Sequence, residues 1–205
     1  MIEIKCSAVV FDLGMVLLNF DYKIMIERLE KVEPGLGNHF IENYKSNYDV
    51  HRNFERGKIS ETDFVEEMLN SLNHKIDAET FCKFYSEIFT LNEKVAGLLP
   101  VLKNKYRLFL LSNTNSIHQK YGWKDYPFLV HFEKQFLSHE VGAVKPDEKI
   151  YRAVEKYSCL PPEEHIFIDD IKEYADAAKN LGWDAIHFTG YDDLIKNLKA
   201  KGILD

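Results

Sequence analysis

The sequence contains no apolar run long enough to cross a bilayer, no internal repeat and no low-complexity tract. Cysteine is scarce. Cys6, Cys82 and Cys159 are far apart and form no C-x-x-C pair, so neither a disulfide framework nor a thiolate zinc site is signalled. Positive charge is in short supply: 26 Lys and Arg face 33 Asp and Glu, a formal net charge of −7. A nucleic-acid or anionic-membrane surface needs concentrated positive charge, so neither partner is expected. A small anionic ligand remains compatible, because a local pocket can be positive on an acidic protein. The eight histidines fall into no ligand-spaced set. The N-terminus lacks a basic region followed by an apolar segment and a small-residue cleavage site, and the expected compartment is a reducing cytoplasm.

What is present is core-forming material. The chain has 205 residues and is 45% hydrophobic, enough for one domain plus a substantial insertion. Ala8-Val9-Val10-Phe11 reads as a strand covered on both faces, because it is apolar without alternation. Residues 22–92 then read as helical. Ile26, Leu29 and Val32 keep helical spacing until Pro34-Gly35-Leu36-Gly37 interrupts it. Phe64, Val65, Met68, Leu69 and Leu72 form a second apolar face, and Phe81, Phe84, Tyr85, Ile88 and Phe89 a third. Asn92 is a candidate helix cap, and Pro100 should kink the following helix or mark a tighter turn.

From residue 106 the pattern changes to strand alternating with helix. YRLFLLS, KQFLS (134–138), HIFIDD (165–170) and WDAIHF (183–188) read as strands, with helices near 147–158, 171–181 and 191–200. That alternation predicts a Rossmann-like parallel sheet flanked by helices, an α/β fold. The first strand is separated from the others by the helical block. The expected organisation is a discontinuous core, 1–18 plus 93–205, with a helical insertion at 19–92.

In open parallel sheets, ligands bind beyond the carboxyl ends of the strands. Those ends carry Asp12, then Ser112-Asn113-Thr114, then Asp169-Asp170, while Lys145 lies in the loop after the short third strand of this group. The set suits phosphoryl transfer through an acyl-phosphate. A carboxylate such as Asp12 can attack phosphorus. Asp12 and Asp170, with Asp169 beside it, offer hard oxygen ligands to Mg²⁺. Lys145, the Ser112 hydroxyl and backbone groups at Asn113 and Gly14 can hold phosphate oxygens. Two adjacent acids at a buried strand end cost desolvation unless a cation compensates.

In this order and spacing, "FDLG", "LSNT", "KPDEKIY" and "FIDD" resemble the four motifs of the haloacid dehalogenase-like hydrolase superfamily. "FERGKIS" (54–60) resembles the small helical cap of one branch. That branch contains bacterial sugar-1-phosphate phosphatases and the N-terminal phosphatase domain of soluble epoxide hydrolases. The resemblance implies Asp12 as nucleophile, Ser112 and Lys145 as phosphate ligands, and Asp170 as metal ligand with Asp169 beside it. It also implies that the backbone carbonyl of Gly14 completes the metal shell. Most phosphatases of the superfamily carry an Asp two residues after the nucleophile as general acid and base, whereas this chain has Gly14. Ile171, Tyr174 and Ala177 likewise stand where relatives often have Asn and Gly.

The expected activity is therefore Mg²⁺-dependent hydrolysis of a small phosphorylated metabolite, a sugar phosphate by resemblance. The alternatives are a catalytically weak phosphate-binding or regulatory protein of the same fold, and a haloacid dehalogenase. Near the expected cap, Asp21, His51, Arg52, Glu55 and Arg56 are candidates to reach the substrate. The proton transfer that Gly14 cannot perform is expected to be missed unless a cap residue such as Asp21 or His51 substitutes.

Overall fold

A computed structural model describes residues 6–205, so residues 1–5 of the expected core segment lie outside the described residues. Five strands form one parallel sheet: β1 (Ala8–Phe11), β4 (Arg107–Ser112), β5 (Lys134–Leu137), β6 (His165–Asp169) and β7 (Asp184–His187). Two short strands, β2 (Leu18–Phe20) and β3 (Phe89–Leu91), pair antiparallel outside it. The order in the large sheet is β5-β4-β1-β6-β7, which puts β1 in the centre. Each of its four residues is buried, as its unbroken apolar run requires.

The two faces of β1 enter separate clusters. Val9 and Phe11 pack with Leu108, Leu110, Ile166 and Ile168. Ala8 and Val10 pack with Phe109, Phe167 and the helical residues Ile150, Tyr151 and Val154. Helix Glu148–Ser158 presents those last three at i, i+1 and i+4, the spacing of one apolar face.

Five helices lie between the two strands of the antiparallel pair: α1 (Lys23–Val32), α2 (Leu36–Ser46), α3 (Tyr48–Glu55), α4 (Glu61–Ser71) and α5 (Ala78–Ser86). They enclose an apolar cluster of their own, built on Met25, Phe40, Phe54, Phe64, Met68 and Phe81. Ser60 and Asp77 cap α4 and α5 through side-chain oxygens that accept from Asp63 N and Thr80 N.

Three sequence expectations change at this level. The buried stripe of α1 is Met25 and Leu29, four residues apart, and Val32 is 44% exposed. Asn92 does not cap the following helix. Its amide donates to the Val16 carbonyl at 2.9 Å, tying the end of β3 to the loop after β1. The helical run after it divides at Gly97-Leu98 into Glu93–Ala96 and Leu99–Lys103, and Pro100 sits in the first turn of the second piece, where it has no bond to lose.

Candidate active site

Strand register decides which side chains meet. Phe11 is level with Leu110 on one side and Ile168 on the other. Asp12, one residue further, is therefore flanked by the ends of β4 and β6, and its N–H continues the ladder to the Ile168 carbonyl at 2.9 Å. Asp12, Asp169 and Asp170 each offer a carboxylate oxygen within 4.8 Å of the others. Asp12 and Asp169 are buried and Asp170 is half-buried.

Lys145 stands among them. Its Nζ is 2.7 Å from Asp12 Oδ1 and 2.6 Å from Asp169 Oδ2, and the side chain is 1% exposed. Burial alone disfavours an ammonium, but the two carboxylates reverse that and hold Lys145 charged. Burial pushes the Asp12 carboxyl up to about 7, against the lowering effect of Lys145 and with reinforcement from Asp169. Asp170 is raised by burial and then by Asp169.

Three carboxylates thus face one ammonium, and the excess negative charge is confined to hard oxygen donors. That composition fits a divalent cation such as Mg²⁺, whose charge would return the acids to their ionised forms. Asp169 already has a partner on each oxygen, since Oδ1 accepts from the Ile171 N–H at 2.8 Å and Oδ2 takes Lys145. Asp12 and Asp170 are the freer donors.

The loop carrying Lys145 is held from both sides. Asn113 accepts from Lys145 N at 2.7 Å and donates to its carbonyl at 3.1 Å. Arg52 donates to the same carbonyl at 2.8 Å and pairs with Glu55 at 2.9 Å. The Asn113 side chain is thus committed to positioning Lys145, which leaves its backbone N–H as the group that could meet a phosphate. Ser112 is 2% exposed, and its hydroxyl makes a long 3.5 Å contact to the Asn113 carbonyl.

Beside this cluster is a cavity of about 150 Å³. Gly14, Ser112 and Asn113 line it from the sheet edge, and Phe20, Tyr22, Tyr44 and Glu55 from β2 and the helices. Its size is below the roughly 300–1,000 Å³ of pockets for drug-sized ligands, which points to a small ligand.

Asp21, His51 and Arg56 are not among the residues lining it. Asp21 is exposed and accepts from the Lys23 N–H at 2.9 Å, the work of a helix start. His51 is buried against Tyr44 and Phe64, and burial alone pulls its pKa down to about 4. An uncharged ring there has no acidic proton to give to a leaving oxygen. Arg56 follows the end of α3, about 100° around from Glu55, which faces the cavity. His118 and Trp123 also line the cavity from a π-helical turn, His118–Trp123, that no hydrophobic period announces.

A family model described as haloacid dehalogenase-like hydrolase matches residues 6–182. The chain belongs to that family. A D-ribitol-5-phosphate phosphatase of Bacteroides thetaiotaomicron is 23% identical over 186 residues, 86% of this chain and 88% of that protein. A phosphorylated carbohydrates phosphatase of Thermotoga maritima is 24% identical over 190 residues, 88% of this chain and 84% of that one. A HAD family enzyme of Bacteroides thetaiotaomicron, solved as a complex with magnesium and inorganic phosphate, superposes with a TM-score of 0.80 at 28% identity. That match covers 92% of this chain and 98% of the other. The expected fold and enzyme class, a Rossmann-like haloacid dehalogenase-type phosphatase, are those of these relatives.

Proposed function

We propose that this chain is a Mg²⁺-dependent phosphomonoester hydrolase that works through an aspartyl-phosphate on Asp12, with a small sugar or polyol phosphate as substrate and helices α1–α5 as its cap. The observation that carries the reading is Lys145 Nζ at 2.7 Å from Asp12 Oδ1 and 2.6 Å from Asp169 Oδ2, at the edge where the third acid, Asp170, also stands. A lysine so placed orients the nucleophile and offers positive charge to the phosphoryl oxygens. Magnesium, held by Asp12 and Asp170 with the Gly14 carbonyl, would supply the remaining neutralisation of phosphate charge.

In this reading Asp12 attacks phosphorus and the alcohol leaves. Water then attacks the acyl-phosphate, releasing inorganic phosphate and restoring the Asp12 carboxylate. Ser112 and backbone N–H groups hold the equatorial oxygens. The small cavity encloses the leaving group and keeps bulk water out. Two relatives named for phosphorylated carbohydrates support the sugar or polyol class. No described helix is long and apolar enough to cross a membrane. The cytoplasmic placement rests on the sequence, whose cysteine spacing signals no disulfide framework.

Hydrolysis of p-nitrophenyl phosphate with and without Mg²⁺, followed by a screen of sugar and polyol phosphates, tests the proposal. Turnover that needs Mg²⁺ is expected. Phosphate binding without turnover would leave the catalytically weak reading, and chloride release from a 2-chloroacid would select the dehalogenase.

A further inference from the structure

Position 14, two residues beyond the nucleophile, offers no side chain to move a proton at the leaving oxygen. Gly14 has none, and the Phe20 ring stands 3.1 Å from where its Cβ would be. Without proton transfer, an alkoxide must leave unassisted, a loss typically of about 10²–10⁴-fold.

We propose that Glu55 is the acid–base group of this site, giving a proton to the departing ester oxygen and taking one from the water that attacks the aspartyl-phosphate. The inference rests on the phosphatase reading above.

Glu55 is the one carboxyl among the described residues lining the cavity that Gly14 and Ser112 border. It ends α3, so it borders the cavity from the helices while Gly14 and Ser112 border it from the sheet edge. It retains 28% exposure of its side chain there. Arg52 fixes its position, holding Glu55 Oε2 at 2.9 Å and the Lys145 carbonyl at 2.8 Å, and so ties the acid to the loop that carries Lys145.

The other titratable groups of the cavity are poorer choices. His118 is buried, and burial drives its pKa down to about 3. The Asn115 amide donates to its Nδ1 while Asn115 Oδ1 accepts from the His118 backbone N–H, which fixes the neutral tautomer with its proton on Nε2. Tyr22 and Tyr44 are pushed above the ordinary phenol range by burial. Glu55 is raised by burial and restrained by Arg52, Arg56 and Lys145, which suits an acid that must be protonated for one step and ionised for the next.

The balance closes over a cycle. Asp12 Oδ bonds to phosphorus as the P–O ester bond breaks, and the Glu55 proton goes to the ester oxygen. Water oxygen then bonds to phosphorus as the P–O bond to Asp12 breaks, and its proton returns to Glu55.

Glu55→Gln keeps the side-chain size and an oxygen for Arg52, but cannot donate that proton. Rapid-quench kinetics on glycerol 1-phosphate and p-nitrophenyl phosphate separate proton transfer from positioning. In the variant, the first step should fall about 10²-fold or more on the alkyl ester and less than about 10-fold on the aryl ester, whose leaving group needs little protonation. The aryl ester should also show a burst of p-nitrophenol before slow turnover, because the second step lacks its base. Glu55→Asp, which keeps a carboxyl one methylene shorter, should fall between the two. Equal losses on both esters, no loss at all, or unmodified protein that cleaves only the aryl ester would overturn the assignment. Absence of Mg²⁺-dependent turnover in the unmodified protein removes the phosphatase reading and this role together. Normal turnover with an unaffected Glu55→Gln removes only the role.

Discussion

The ring of Phe20 stands 3.1 Å from the position a Cβ on Gly14 would occupy. β2 and the loop after β1 thus meet where the family pattern usually carries an acid. Phe20 is 39% exposed, so its ring can swing away, and Gly14→Ala should change folding stability by less than about 1 kcal/mol. The displaced ring would alter the cavity wall, so KM should rise. In a Phe20→Ala background that rise should disappear, which steady-state kinetics of the four-member cycle will show.

Asp12→Asn should abolish turnover and leave the fold intact. Lys145 keeps Asp169 at 2.6 Å, so no buried ammonium is left unpaired. Far-UV circular dichroism should match the unmodified protein, while p-nitrophenyl phosphate turnover drops at least about 10³-fold. Retained Mg²⁺-dependent activity would eliminate the covalent route.

Magnesium should stabilise the native state, because only the folded chain brings Asp12 and Asp170 together. Thermal melts should shift upward with Mg²⁺ and return with chelator. Asp170→Ala should remove most of that shift. An unchanged Mg²⁺ response in the variant would show that the ion sits elsewhere.

The helical block meets the sheet domain at Gly57. This residue has φ +65°, and a Cβ there would come within 2.3 Å of the His139 carbonyl oxygen. Both objections involve backbone, which a rotamer change cannot relieve. Gly57→Ala should either cost about 2 kcal/mol or more in urea unfolding or open the contact, lowering kcat/KM with little stability change. A variant with unchanged stability and kinetics would show that the contact is dispensable.

Acid should weaken the fold through buried histidines. Burial lowers His51 to about 4 and His118 to about 3, against an ordinary value near 6.5. As pH falls below 6.5 the unfolded chain takes protons that the folded one refuses, so stability drops. The contribution is fully present above 6.5 and declines toward the folded values, with a slope approaching about 1.4 kcal/mol per unit for each ring. His51→Leu should flatten the profile of urea midpoints between pH 6 and 4, and an unchanged slope would refute its neutral burial.

The sequence alone determined the parallel sheet and the edge at which its acids gather. Ala8–Phe11 is apolar without alternation and ends at Asp12, and Ser112 and Asp169 close β4 and β6. Those signals are local: strand period, strand end and the acid that follows. Parallel pairing then aligns the strand ends, so the cluster was legible before any coordinates.

Tertiary structure decided what lies across from that edge. Arg52 and Glu55 face the site while His51 and Arg56, immediate neighbours on the same turn region, do not. Helical spacing says which residues share a face, but not which face is turned toward another element. That orientation is set by the packing of α3 on Phe64 and by the close approach of Gly57 to His139. The same reason hid the two bonds by which the Asn113 side chain holds the Lys145 backbone. Contacts between residues tens of positions apart depend on how two apolar surfaces settle together, and no period along the chain records it.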